Sequence, residues 1–144
     1  MEFLIILVVL SFLIGTISFA LPSKSSREIS ELRINASRMG FKISPSNIGQ
    51  NSFKNKGINL MIYSLKNKTN LKEAHFIRDK DELILYSPLK LKYSDGYDEI
   101  KSKLNFLSPH VLEIMFSSSF IAFIWREKAG KDELEKILNL LKVF

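Results

Sequence analysis

The 144-residue sequence contains no cysteine, one tryptophan, four prolines and six glycines. The absence of cysteine excludes disulfides, thiolate metal sites, iron–sulfur clusters, a thiol nucleophile and the acylated cysteine of lipoproteins. The six glycines are scattered, and none of them forms GxGxxG or GxxxxGK[ST]; HExxH and GxSxG are also missing. We therefore expect no cofactor and no metal site, and we predict that the protein is not an enzyme.

Residues Phe3 to Leu21 form an apolar run of 19 residues without a charge. As a helix this run is roughly 28 Å long, which matches the hydrocarbon thickness of a bilayer. The alternative is a cleaved signal peptide, because Ser18-Phe19-Ala20 places small residues where a signal peptidase reads them. No basic residue precedes the run, and the run exceeds the usual signal core of about 7–15 residues. The sequence therefore favours a retained membrane anchor over residues 1–23.

Basic residues follow the anchor closely, whereas only Met1 and Glu2 precede it. Positive charge beside a span stays on the cytoplasmic side. We expect a single-pass protein of the cell inner membrane, with its N-terminus outside and its C-terminal domain in the cytoplasm. The residues expected to contact anionic head groups at the membrane surface are Lys24, Arg27, Arg33, Arg38 and Lys42.

The net charge of +6 is unevenly distributed. Residues 24–68 carry nine basic and two acidic side chains, whereas residues 69–144 carry twelve of each. Three explanations remain open: proximity to anionic lipid, a compositional bias towards lysine, and nucleic-acid binding. Nucleic acid is the least favoured, since the basic residues are not interleaved with aromatic residues and no recognition motif is present.

Helical periodicity predicts three helices after the anchor. The first is a juxtamembrane amphipathic helix within residues 24–40, running from about Ser26 to Met39, with Ser25 and Glu28 as a capping box and Gly40 in a left-handed conformation. The second is capped by Ser94 or Asp95, and the third has Asp132 and Lys136 spaced for an ion pair. Their apolar faces are Ile29, Leu32, Ala36 and Met39; Tyr97, Ile100, Leu104 and Leu107; and Leu134, Ile137, Leu138 and Leu141.

The middle of the chain is rich in β-branched and aromatic residues, which predicts strands. Three strands are expected as an antiparallel meander, and two more as a buried hairpin in which Leu112, Ile114 and Phe116 face the core opposite Ile121, Phe123 and Trp125. The polar stretch Ser44 to Gly57 is predicted to be a mobile loop. The expected strands are Ile58 to Leu65, Lys72 to Arg78, Leu83 to Ser87, and the two halves of Val111 to Trp125. The fold class is α+β: an antiparallel sheet covered by helices, forming one domain over residues 41–144.

Few side chains offer chemistry. His75 lies in a predicted strand and His110 follows Pro109, so spacing does not pair them, and we interpret both as structural or surface residues. The acids Asp95, Asp98 and Glu99 lack the spacing of a calcium loop and suit the start of a helix. Trp125 is interpreted as a core residue that, together with Arg126, could form a partner-binding edge.

The order of features resembles that of small uncharacterised inner-membrane proteins of proteobacteria, some of which are labelled as similar to the YajC accessory subunit of the protein translocase. The residues that carry the resemblance are the apolar anchor, Leu21-Pro22-Ser23, Arg27-Glu28, Gly40-Phe41, Val111-Leu112-Glu113 and Trp125-Arg126-Glu127. The basic Arg-Pro-Gln-Gln stretch that follows the span in YajC itself is absent here. The resemblance supplies no catalytic residues.

Two functional hypotheses follow. The first is a non-enzymatic accessory or interaction module of a bacterial inner-membrane complex, which binds a membrane protein partner through its sheet edge or the groove beside Trp125. The second is a small membrane-bound enzyme or ligand-binding domain that uses His75, His110 or the acids near Asp95. A fold that brings either histidine within hydrogen-bond reach of a carboxylate in a pocket would favour the second hypothesis.

Overall fold

A computed structural model of the protein describes residues 1–46, 53–55, 57 and 59–144. Half of the stretch expected to be a mobile loop, 44–57, lies outside the described residues, and its first two residues, Ser44 and Pro45, belong to a strand. The four α-helices are α1 (Glu2–Ala20), α2 (Lys24–Arg38), α3 (Tyr97–Asn105) and α4 (Lys131–Lys142). The six strands are β1 (Lys42–Pro45), β2 (Met61–Lys66), β3 (Ala74–Asp79), β4 (Glu82–Ser87), β5 (Val111–Phe116) and β6 (Phe120–Trp125). Two short 3-10 helices cover Leu89–Tyr93 and Glu127–Ala129.

Helix α1 is apolar on every side, and none of its residues is buried against the rest of the protein. It is long and apolar enough to cross a membrane, and a signal sequence meets the same criteria. The hydroxyl groups of Ser11 and Ser18 donate hydrogen bonds to the carbonyl oxygens of Leu7 and Ile14, so these polar groups are satisfied inside the helix. The sequence-based prediction of a helix that could span a membrane is confirmed.

Helix α2 begins earlier than its sequence pattern indicates. Ser23 is the N-cap, and its hydroxyl oxygen accepts a hydrogen bond from the Ser26 amide at 3.2 Å, so the predicted cap at Ser25 is wrong. The helix ends before Gly40, whose φ of +100° confirms the predicted left-handed terminus. Leu32 and Ala36 are buried in the main core, so α2 belongs to the same packed unit as the sheet.

The strands form one antiparallel sheet in the order β1-β2-β6-β5-β3-β4. The predicted meander of the first three expected strands is wrong, because β2 pairs with β1 and β6 and not with β3. The two hairpins, β3–β4 and β5–β6, are joined through the pairing of β3 with β5. The end strands of the sheet are therefore β1 and β4.

Helices α2, α3 and α4 cover one face of this sheet. Their apolar sides meet the inward residues of β2, β3, β5 and β6 in the main core, which contains Tyr63, Phe76, Ile114, Phe123 and Trp125. A smaller cluster on the opposite face, here called the open face, joins Phe53 to Ile62, Ala122 and Ile124. The α+β class and the predicted apolar faces of α2, α3 and α4 are confirmed.

A register shift between Val111 and Glu113 interrupts the pairing of β5 with β6. Val111 and Ile114 point into the main core, whereas Leu112 packs against the smaller cluster. The predicted inward alternation of Leu112, Ile114 and Phe116 is therefore wrong at its first member. Such a bulge re-aims the side chains beside it, and it leaves Glu113 fully buried on the open face.

Two predicted details of the later helices are also wrong. Helix α3 is preceded by Gly96 at φ +86°, and neither Ser94 nor Asp95 caps it through a side chain. In α4 the ammonium group of Lys136 pairs with Glu133 at 2.9 Å, one turn away, and not with Asp132. Both differences leave the helices where the apolar periodicity placed them.

Candidate functional site

Glu113 is a buried carboxylate on β5, with no exposed surface. Both of its oxygens are occupied. Oε1 accepts hydrogen bonds from the Lys54 backbone amide at 2.8 Å and from His75 Nε2. Oε2 accepts the Asn55 backbone amide at 2.9 Å and the Asn55 side-chain amide at 2.8 Å. One carboxylate thus joins residues 54–55 to the open face, and we call these groups the Glu113 clamp.

The four donors determine the charge of Glu113. Burial by itself raises its pKa, but the hydrogen bonds from His75, Lys54 and Asn55 together outweigh burial and hold the pKa below its usual value. The carboxylate is therefore ionised at neutral pH. Because an ionised carboxylate only accepts hydrogen bonds, His75 Nε2 must carry the proton that it shares with Glu113.

Aromatic rings enclose His75. Its ring is 6.1 Å from that of Phe53 and 5.1 Å from that of Tyr86, both in edge-to-face contact. The Lys54 ammonium lies 5.1 Å above the Tyr86 ring. His75 is 5% exposed and lines a groove of about 590 Å³ with Ser87 and Ser117. His75 Nδ1 has no hydrogen-bond partner in the described part of the chain.

A second carboxylate with a buried side chain, Glu127, lies two residues after the end of β6. Arg33 binds it through two parallel hydrogen bonds, Nε to Oε1 and a terminal nitrogen to Oε2, each 2.8 Å long. The Tyr63 hydroxyl donates to Oε1 at 2.7 Å. Burial, followed by the bond to Glu127, raises the pKa of Tyr63 well above its usual value. Helix α2 is thereby bonded to the sheet, and we call these groups the Glu127 anchor point.

The residues expected at the membrane surface do not all have the same surroundings. Lys24, Arg27, Arg38 and Lys42 have exposed side chains, with Lys24 4.0 Å from Glu28. Arg33 is bound to Glu127, and this bond raises the pKa of its guanidinium. Four of the five expected side chains are thus exposed, although Lys24 has Glu28 nearby, whereas Arg33 is half-buried and bound to Glu127.

Trp125 and Arg126 are adjacent but differ in exposure. Trp125 is 1% exposed and packs edge-to-face on Tyr63 at 5.5 Å, as expected of a core residue. Because it is buried, Trp125 has no exposed edge for a partner. Arg126 is exposed beside a cleft of about 700 Å³ that Trp125 also lines. The groove expected beside Trp125 is thus present.

The other candidate residues remain apart. His110 lines the cleft beside Trp125, on the opposite side of the sheet from the Glu113 clamp. Asp95, Asp98 and Glu99 are exposed around the start of α3. Within the described residues, no three acidic, histidine or cysteine side chains are grouped so that they could hold a metal ion.

The sequence interpretation missed both carboxylates. Glu113 and Glu127 enter the sequence-based predictions only as members of the motifs Val111-Leu112-Glu113 and Trp125-Arg126-Glu127. The available signal was the pattern Val-Leu-Glu-Ile-Met-Phe, since an acid between apolar residues in a strand needs buried partners. The identity of those partners could not be inferred, because Lys54 and Asn55 are nearly 60 residues away along the chain.

Comparisons with protein families, with curated proteins and with solved structures found no match to this chain. The resemblance to small inner-membrane proteins therefore stays an expectation from the sequence.

Proposed function

We propose that the protein is a membrane-anchored interaction module that binds an extended segment of another membrane protein along strand β4. The single observation that carries this proposal is the composition of that end strand. Ile84 and Tyr86, on the open face of β4, are 47% and 48% exposed. Strand β4 pairs only with β3 among the described strands, so its other edge offers backbone groups for strand addition.

The opposite end strand supports this choice. β1 has four residues, begins with Lys42 and ends with Pro45, which lacks a backbone amide proton. Short length, lysine and proline are the usual means by which proteins block an end strand. β4 has six residues and alternates Leu83, Ile84, Leu85 and Tyr86 without an internal charge. The partner is expected to present apolar side chains that cover Ile84 and Tyr86.

Photocrosslinking in native membranes tests this proposal. A photoreactive residue replaces Ile84 in the full chain, and the matched control replaces Val143, another exposed apolar residue at 65% exposure. We expect a reproducible protein adduct from position 84 only. Ile84→Lys should abolish copurification of that partner, whereas Val143→Lys should leave it unchanged. Equal adducts from both positions, or lipid adducts alone, would contradict the proposal.

We also propose the orientation: the N-terminus is outside, α1 is uncleaved, and residues 24–144 are cytoplasmic. The support is the group of exposed basic side chains that directly follows α1. A C-terminal reporter that is active only in the periplasm should be inactive, and the mature mass should include α1. Periplasmic activity, or a mature chain that starts near Leu21, would contradict this topology and the head-group role of the basic residues.

The Glu113 clamp supports a second candidate function, a ligand-binding or catalytic site at His75. A carboxylate that fixes Nε2 leaves Nδ1 as the basic nitrogen of the ring, and His75 lines a groove that contains serines. Diethyl pyrocarbonate, which acylates accessible neutral imidazoles, tests this candidate in the folded chain. Modification of His75 at a rate comparable with that of half-buried His110 would support it. Protection of His75 until unfolding would exclude it.

A further inference from the structure

The cleft beside Trp125 lies between α2, β2, the end of β6 and the 3-10 helix Glu127–Ala129. Its volume of about 700 Å³ falls within the usual range for small-molecule sites, about 300–1,000 Å³. Its walls combine an apolar part with a basic part. The apolar side chains include Ile29, Leu60, Met61 and Trp125, and the basic ones include Arg126 and Lys128.

The charged groups of the cleft favour an anionic occupant. Arg126 and Lys128 are exposed, and neither forms an ion pair with a described residue. The carboxylate of Glu127 also borders the cleft, but Arg33 and Tyr63 already occupy its oxygens. Glu28 and Glu31 line a neighbouring groove with Lys128, but within the described residues no carboxylate is paired with either cation.

Trp125 supplies an independent observation. Its Nε1–H is the one buried side-chain polar atom without a hydrogen-bond partner in the part of the chain that the structure describes. Buried donors without an acceptor are rare and costly in native proteins. The residue that carries this donor lines the same cleft as Arg126 and Lys128. The two cations call for a ligand with an anionic, oxygen-rich group, and the apolar walls call for a hydrocarbon part on the same ligand.

The position of the cleft along the chain indicates where such a ligand comes from. Helix α2 starts at Lys24, only four residues after α1 ends at Ala20. Ile29 lies five residues into α2, which is roughly 8 Å along its axis. We propose that the cleft binds an anionic phospholipid of the membrane that holds α1, with its phosphate at Arg126 and Lys128 and its acyl chain against Ile29 and Met61. This assignment rests on the proposed membrane anchoring.

Because Trp125 is the single tryptophan of the chain, its fluorescence reports on the cleft alone. The full chain is incorporated into nanodiscs that contain phospholipids with brominated acyl chains, which quench tryptophan fluorescence at short range. One set of nanodiscs carries the bromines on an anionic phospholipid and the other on a zwitterionic one. We expect at least twofold stronger quenching of Trp125 by the anionic lipid.

Two matched double variants locate the effect. Arg126→Glu with Lys128→Glu should reduce quenching by the anionic lipid to the zwitterionic level. Lys90→Glu with Lys92→Glu makes the same charge change on the exposed 3-10 helix Leu89–Tyr93 and should leave quenching unchanged. Far-ultraviolet circular dichroism confirms that both variants are folded.

Three results would overturn the lipid assignment. Equal quenching by both lipids would mean that Trp125 senses bilayer proximity and not a head group. Loss of quenching in both double variants would mean that the preference for anionic lipid depends on the overall charge of the protein and not on Arg126 and Lys128. Displacement of the brominated lipid by inorganic phosphate alone would mean that the cleft binds phosphate and does not recognise a lipid. A chain that fails to enter nanodiscs contradicts the anchoring itself, whereas incorporation without head-group dependence contradicts the cleft proposal only.

Discussion

The Glu113 clamp and the Glu127 anchor point each bury one glutamate, but they use different partners. Glu127 is bound by the permanent cation of Arg33 and by one hydroxyl group. Glu113 is bound by three amide N–H donors and by His75. Arginine brings a full positive charge to the carboxylate, whereas the amides stabilise it through charge-assisted hydrogen bonds from neutral groups. The difference shows two ways in which this fold makes a buried acid tolerable.

The two carboxylates also fasten different segments. Glu127 connects α2, the helix that follows α1, to the sheet. Glu113 connects residues 54–55 to the open face, where Tyr86 joins the same contacts to the exposed surface of β4. The Glu113 clamp is thus close to the surface proposed for partner binding, and the Glu127 anchor point borders the cleft beside Trp125. The following predictions separate their contributions.

Removal of the Glu113 carboxylate is expected to have the largest effect. Glu113→Ala leaves the amides of Lys54 and Asn55 and the His75 ring without their acceptor, so the free energy of unfolding should fall by about 3–5 kcal/mol. Urea unfolding of the full chain in detergent, followed by Trp125 fluorescence, measures it. Glu135→Ala on the exposed side of α4 is the control and should change stability by less than about 0.5 kcal/mol. A loss for Glu113→Ala no larger than the control would show that residues 54–55 do not need the carboxylate.

Loss of the Arg33 cation should have a smaller effect. Arg33→Met leaves Glu127 with Tyr63 as its remaining partner, but the Arg33 side chain is 39% exposed, so water can replace part of the interaction. We expect a loss of about 2 kcal/mol in the same unfolding measurement. Arg38→Met removes an exposed cation from the same helix and should be nearly neutral. Equal effects of the two substitutions would mean that the anchor point adds no stability beyond surface charge.

The smallest expected effect is on how the free energy of unfolding depends on pH, which should differ between the two sites. The pKa of Glu113 lies below its usual 4.5 in the folded state, so its contribution is present above that pH and is lost as pH falls through the lowered pKa. The pKa of Tyr63 lies above its usual 10.0, so its contribution is present below that pH and is lost as pH rises further. Glu113→Gln should flatten only the acid side of the stability profile, and Tyr63→Phe only the alkaline side. Urea midpoints across both ranges test this, and a variant that alters both sides would refute the separation.

The sequence predicted the helices well because their information is local. In α2 and α4 the predicted apolar residues recur every three or four positions, and in the structure they are buried or half-buried. The β5–β6 hairpin could also be predicted from the sequence, because only three residues separate the two strands. The cluster on the open face could not be predicted, because no sequence periodicity indicates that Phe53 packs against Ile62 and Ala122.

The sheet order was unpredictable for a related reason. β2 pairs with β6, which lies more than 50 residues later in the chain, while the nearer β3 pairs elsewhere. Both pairings are compatible with the alternation of β2, so the choice depends on the packing of the whole core. The candidate sites follow the same rule: Trp125 and Arg126 were found as neighbours in sequence, whereas Glu113 with His75 and Glu127 with Arg33 are products of the fold.

The packing of α2 against the sheet determines where the domain can be cut from α1. A protease that cleaves after Gly40 would remove Leu32 and Ala36 from the core and leave Glu127 without Arg33. A cut between Leu21 and Ser23 would spare every one of these contacts and keep the Ser23 cap. A cut that preserves all of these contacts is therefore confined to residues 21–23, and cleavage after Gly40 would remove part of the core.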